Sequence, residues 1–166
     1  MTAIVLGWTK KFRESLFRKG NRLSEDQTAD FLGIIQTMPL AKIEVRKKWS
    51  PEQIQEIIEA IYRSQREALK VPEHDRQIRL IEYAPEHFHV PPGKSENFTL
   101  VEITLFSGRS IEAKRSLYQT IVANLGAIGI APADIFIVLH EVPLENWGIR
   151  GGVPASDIDL GFKVNV

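Results

Sequence analysis

The chain has 166 residues and a mass of 18.8 kDa, room for one ordinary domain or for two small halves sharing a core. Hydrophobic residues make up 43% and charged residues 25%, which excludes wholesale disorder, and 21 basic against 21 acidic side chains leave no net field to draw nucleic acid or an anionic membrane. There is no cysteine, which excludes disulfides, thiol nucleophiles and Cys-ligated metal and fits a reducing, cytoplasmic setting; no apolar run nears the roughly 20 residues that span a bilayer.

Residues 1–38 read as an extension. Six basic residues stand there against four acids, so this stretch nets +2 and residues 39–166 net −2. Trp8, Phe12 and Leu16 recur at helical spacing, Gly20 and Asn21 break the pattern, and Ser24 caps a second short helix reaching about Gln36. The expectation is a helical extension with little core of its own. Its apolar start, Ala3 to Leu6, is too short for a secretory signal. A basic amphipathic segment also suits organelle targeting or a membrane surface, which the acids from Glu14 onward oppose.

From residue 39 the chain repeats itself. Leu40 to Arg46 alternates apolar and polar, as a half-buried strand does. Ser50, Pro51 and Gln53 compose a capping box with proline at the first helical position. Ile54, Ile57, Ile58, Ile61, Ala68 and Leu69 line one helical face, and Val71-Pro72 ends the helix. A second strand is predicted over Gln77 to Tyr83. The other half follows the same order: a strand from Thr99 to Phe106, a Ser110-capped helix with Leu117, Ile121, Leu125 and Ile128 on one face, then Ala131-Pro132. The last strand, Ile135 to Val142, is apolar enough to be buried on both faces. Ser50 superimposes on Ser110 and Pro72 on Pro132 at an offset of 60; Glu82 meets Glu141 and Phe88 meets Trp147 at 59.

Two β-α-β units, residues 39–90 and 98–166, joined by the Pro/Gly-rich Val90–Ser95, have one economical assembly. Each unit contributes a parallel strand pair, and together they make an α/β (α+β) four-stranded sheet with two helices on one face. The other face keeps apolar side chains uncovered, which predicts oligomerisation.

Met38-Pro39 carries chemistry of its own. Initiator Met before a small residue is commonly removed, which would leave Pro39 as an amino-terminal secondary amine. An ordinary α-amino group titrates near 7.7–8.0, and an apolar pocket lowers that value because it disfavours the charged form. Such an amine is a neutral base able to take a proton from carbon beside a carbonyl. Pro39 can equally do no more than open a strand.

Three stretches resemble the tautomerase superfamily: Pro39-Leu-Ala-Lys-Ile-Glu-Val, Phe106-Ser-Gly-Arg-Ser110 with Glu112 and Lys114, and Glu145-Asn-Trp-Gly-Ile-Arg-Gly-Gly-Val-Pro-Ala-Ser156. The last two are similar to 4-oxalocrotonate tautomerase. The duplicated length and Val71-Pro-Glu-His-Asp-Arg76 are closer to fused members such as malonate semialdehyde decarboxylase. The resemblance spans residues 38–166. It implies a cofactor-independent keto–enol tautomerase, a homotrimer, acting on a small carboxylate-bearing 2-oxo or enol acid. Pro39 then matches the base, Arg109 the residue that grips the carboxylate, Asp75 the aspartate of decarboxylase-like members, and Trp147 the aromatic wall that keeps the pocket dry. Where those members have a second arginine stands Ser107, and where some have a tyrosine stands Gln77, which favours plain tautomerisation over decarboxylation or dehalogenation.

Each residue also has a plainer reading. Arg109 opens a helix, where its charge opposes the helix dipole. Asp75 follows Pro72 as a turn residue does, Trp147 suits a core, and Arg150 in its Gly-rich turn is either solvated or a second carboxylate ligand. Glu86-His87-Phe88-His89 has the spacing of two metal ligands on an extended stretch but no third nearby, so no metal is expected. His140, in its apolar strand, reads as interior. The rival to an enzyme is a non-catalytic trimer, or a chain whose extension blocks the proline.

Overall fold

The computed structural model describes residues 39–71, 73, 75–149 and 151–158. The expected helical extension, Met38, Pro72 and Arg150 lie outside the described residues.

Six main elements follow the predicted order: β1 (Leu40–Arg46), α1 (Pro51–Leu69), β2 (Ile78–Tyr83), β3 (Thr99–Phe106), α2 (Ile111–Gly126) and β4 (Ile135–Val142). The sheet order is β2-β1-β3-β4. β1 runs parallel to β2 and β3 parallel to β4, while β1 and β3 pair antiparallel at the centre. Lys42 sits opposite Glu102, its own counterpart 60 residues on. On the helices, Asn124 Nδ2 donates to Ser64 Oγ at 3.0 Å, again 60 apart. A pseudo-two-fold axis therefore passes through the middle of sheet and helix pair.

Local chemistry sets the helix starts. Ser50 Oγ accepts from the Gln53 N–H while Gln53 Oε1 accepts from the Ser50 N–H at 2.9 Å, completing the capping box. Ser110 Oγ accepts from the Ala113 N–H at 3.2 Å. Alternate residues of the central strands, among them Ala41, Ile43, Val45, Val101 and Ile103, are fully buried against Ile57, Ile61, Leu117, Ile121 and Leu125. Each such Val, Leu or Ile side chain contributes about 1.5–3 kcal/mol.

The open face of the sheet is mixed: it keeps apolar side chains uncovered, as expected, but is not apolar throughout. A charged ladder crosses its middle: Lys42 pairs with Glu44 at 3.1 Å and with Glu102, and Tyr83 Oη donates to Glu44 at 3.1 Å. His140 lies on this face, exposed, with Nε2 3.2 Å from Glu102 Oε1, and is not interior. β4 is likewise buried on one face only: Ile135, Ile137 and Leu139 pack on the core while Phe136 is 55% exposed. Among the described residues no second layer covers the alternate parity from Phe136 to His140, whereas Val142 at the strand's end packs with Phe106 and Trp147. Apolar side chains remain on this face as well: Ile81, exposed Phe136, and half-buried Leu100 and Val138, which the register places beside Glu44 and Glu102.

The connection between the halves is tied down by polar contacts. Asp134 accepts from the Ser95 N–H at 2.7 Å and from Ser95 Oγ at 2.6 Å, and Lys48 Nζ reaches Glu96 at 2.6 Å and Asn97 at 2.7 Å. Pro85–His87 is a 3-10 turn rather than an extended stretch, and His87 and His89 are exposed.

Candidate active site

Because β1 and β3 are antiparallel while each pairs parallel with its own partner, β1 and β2 begin where β3 and β4 finish. That end of the sheet collects the residues the sequence singled out. Pro39 precedes Leu40, which pairs with Thr104, so it lies beside the last turn of β3. On its other side the Ala41 N–H donates to Gln77 O at 2.9 Å, drawing the Asp75–Gln77 stretch alongside. Pro39 is buried, and so is Asp75. Gln77 Nε2 donates to Asp75 Oδ1 at 3.1 Å, so the residue standing in place of a tyrosine occupies the aspartate.

Arg109 follows from the C-terminal end of β3, just before α2. It is buried, 9% exposed, and among the described residues its Nε meets no hydrogen-bond acceptor. Burial lowers its pKa from the usual value, since a guanidinium out of water loses hydration of its charged form. A buried cation at a helix start, where the dipole opposes it, is an arrangement that a bound anion relieves.

Trp147 belongs to a second hydrophobic cluster at the same end, with Phe106 and Ala155 buried and Leu40, Val142, Leu144 and Ile149 packed around them. Its ring meets Phe106 edge to face at 4.8 Å, and Nε1 donates to Val142 O at 3.1 Å. It thus forms an apolar wall next to the residue that follows Pro39. Gly148–Ile149 (β5) and Val153–Pro154 (β6) make a small antiparallel hairpin after it. Arg150, at the hairpin's turn, lies outside the described residues.

The repeat supplies a comparison within the molecule. At the opposite end Thr99 stands where Pro39 would be, Trp49 where Arg109 would be and Asp134 where Asp75 would be. Asp134 is engaged by Ser95 of the connecting segment. At these repeat-equivalent positions, the end that begins with Pro39 carries proline, arginine and aspartate, and the opposite end carries threonine, tryptophan and aspartate.

Sequence reasoning missed one pair at this end, Lys114 and Glu141, whose side chains meet at 2.5 Å. In the sequence each stands alone, Lys114 beside the Gly-Arg-Ser segment and Glu141 as a repeat of Glu82. Their meeting depends on β3–β4 register, which places Leu105 opposite Glu141.

Known proteins share this architecture. A family profile described as "Tautomerase enzyme" matches residues 75–150. A "Probable tautomerase" of Ralstonia nicotianae is 41% identical over 61 residues, covering 34% of this chain and 81% of the relative. The 2-hydroxymuconate tautomerase of Comamonas testosteroni is 37% identical over 51 residues, covering 30% and 81%. Among solved structures, FG41 malonate semialdehyde decarboxylase inhibited by 3-bromopropiolate aligns with a TM-score of 0.63 and 27% identity, over 69% of this chain and 92% of that one. A fused 4-OT solved as a symmetric trimer shares the fold at a TM-score of 0.63 and 22% identity, over 71% and 97%.

Proposed function

Because the chain belongs to the tautomerase superfamily, we propose that it is a keto–enol tautomerase for a small 2-oxo or enol acid bearing a carboxylate, with Pro39 as general base. The observation that carries this is the convergence at one sheet end of Pro39, an apolar Phe106–Trp147 wall, and a buried guanidinium whose Nε has no acceptor. Arg109 grips the substrate carboxylate through paired charge-assisted hydrogen bonds and offsets the negative charge that develops on the neighbouring oxygen. The neutral nitrogen of Pro39 takes the proton from carbon beside the carbonyl. The C–H electron pair becomes the C=C bond, and the carbonyl π pair moves to oxygen. Return of a proton to oxygen gives the enol, and the reverse sequence gives the ketone. The buried setting of Pro39 favours its neutral form. Trp147 and Phe106 keep water from the enolate.

This chemistry needs Pro39 at an amino terminus. An internal prolyl nitrogen has its lone pair delocalised into the preceding carbonyl and is no base at useful pH. The active base therefore requires a chain that begins at Pro39, made either by initiation at Met38 with loss of that Met or by removal of residues 1–38; while that segment is attached the Pro39 nitrogen is an amide. The assembly we propose is a homotrimer, in keeping with the fold it shares with a trimeric fused protein. Among the described residues no helix is long and apolar enough to cross a membrane.

One observation favours a second reading. Asp75 is buried at the same end, and one of the structural likenesses is to a decarboxylase. Asp75 orienting a water would make a hydratase or decarboxylase. Its engagement by Gln77 and the single arginine in the Phe106–Ser110 segment favour the tautomerase.

The test compares the full chain with one starting at Met38 on phenylpyruvate and 2-hydroxymuconate. The short form should lose its Met and show activity that Pro39→Ala strongly reduces. Equal activity from a full chain shown by mass to be uncleaved overturns the mechanism.

A further inference from the structure

We propose that Glu141, locked by Lys114, is a positioning residue that aims Arg109 into the site; this rests on the reading of Arg109 as the carboxylate holder. Ser107–Ser110 joins β3 to α2 through Gly108, whose φ of 116° is a conformation that residues with a Cβ avoid. The end of β4 grips this turn. The Ser107 N–H donates to Val142 O at 3.1 Å. Glu141, one residue earlier, brings its carboxylate to Lys114 Nζ, in the first turn of α2, at 2.5 Å. Lys114 foremost, aided by the backbone N–H groups of Gly108 and Arg109, holds the Glu141 carboxyl below its usual range.

Among the described residues the Arg109 Nε has no such anchor, being buried without a partner. Its direction is set by its backbone, and that backbone is held by Glu141. The repeat provides the control. At the other end Ile54 stands in place of Lys114 and Trp49 in place of Arg109, and Glu82, the counterpart of Glu141, has its Oε1 buried without a partner. The Lys–Glu clasp stands beside Arg109 and has no equivalent beside Trp49.

The experiment uses the full chain, 15N-labelled. The Arg109 Nε–H signal, assigned by its loss in Arg109→Lys, is followed for water exchange and for its response to pyruvate. Glu141→Gln and Lys114→Met should each speed Nε–H exchange by about tenfold or more, the effect of releasing one charge-assisted hydrogen bond. Amide signals away from residues 107–110 and from the neighbours of the substituted position should stay in place, and Lys114→Arg should restore slow exchange. In the wild type pyruvate should shift the Nε–H signal, with a dissociation constant about tenfold lower than in the two variants. Unchanged exchange in Glu141→Gln and Lys114→Met overturns the positioning role. If both variants free Arg109 while pyruvate leaves the wild-type signal unmoved, the positioning stands and the carboxylate reading fails.

Discussion

Replacing Arg109 with methionine should make the fold more stable and the site worse. The guanidinium is buried, burial lowers its pKa, and its Nε lacks an acceptor. A buried donor left unsatisfied costs about 1–3 kcal/mol, while methionine keeps most of the apolar contact of the arginine stem. Unfolding free energy should rise by about 1 kcal/mol, and Tm by about 2–4 °C for a protein of this size. The substrate side moves the opposite way. A charge-assisted hydrogen bond is worth about 1.5–3 kcal/mol, so carboxylate affinity should fall roughly 10- to 150-fold. Urea unfolding gives the first quantity, and KM for phenylpyruvate in the active form gives the second. A variant that is destabilised by more than about 1 kcal/mol and keeps its KM would show that Arg109 serves the fold and not a ligand.

Three further expectations follow from the packing and the charges. Ile103→Ala empties a fully buried position between the helices and the central strands and should cost about 2–5 kcal/mol in urea unfolding; a loss below 1 kcal/mol would contradict the core described. Ser95 hydrogen bonds hold Asp134 below the ordinary carboxylate range, chiefly through Oγ and then through the backbone N–H, as Lys114 holds Glu141. Their stabilisation is therefore complete above the unfolded carboxylate pKa and is lost as pH falls through the lowered folded values, so Asp134→Asn should flatten the acid limb of stability, and an unaltered limb would show the contact contributes nothing. Light scattering should give three times the protomer mass for residues 39–166, and Phe136→Glu should lower it; a stable monomer at micromolar concentration refutes the trimer.

The repeat was legible because its punctuation is chemical. Ser50 and Ser110 cap the helices, and matched alternation puts Ile43 and Ile103 on one buried face. The charged middle of the open face was misread because alternation tells which residues share a face, not what lies over it. Lys42, Glu44, Glu102 and His140 share that face, and β4 looked buried on both sides when only one side has a helix layer. For the candidate site, short motifs single out Pro39, Asp75, Arg109 and Trp147, and strand order brings them to one end. The Lys114–Glu141 clasp was not legible, because its partners are 27 residues apart and meet only through the β3–β4 register. The same holds for Gln77, read as a missing tyrosine and found bonded to Asp75.

Titrating the Pro39 nitrogen itself tests the base most directly. In the form that begins at Pro39, the 15N shift of that residue followed against pH reports its protonation without reference to any substrate. A buried secondary amine beside an apolar wall should give a midpoint below the ordinary α-amino range of about 7.7–8.0, coincident with the acid limb of kcat/KM. A midpoint at or above that range, or activity that does not follow it, would contradict Pro39 as the general base.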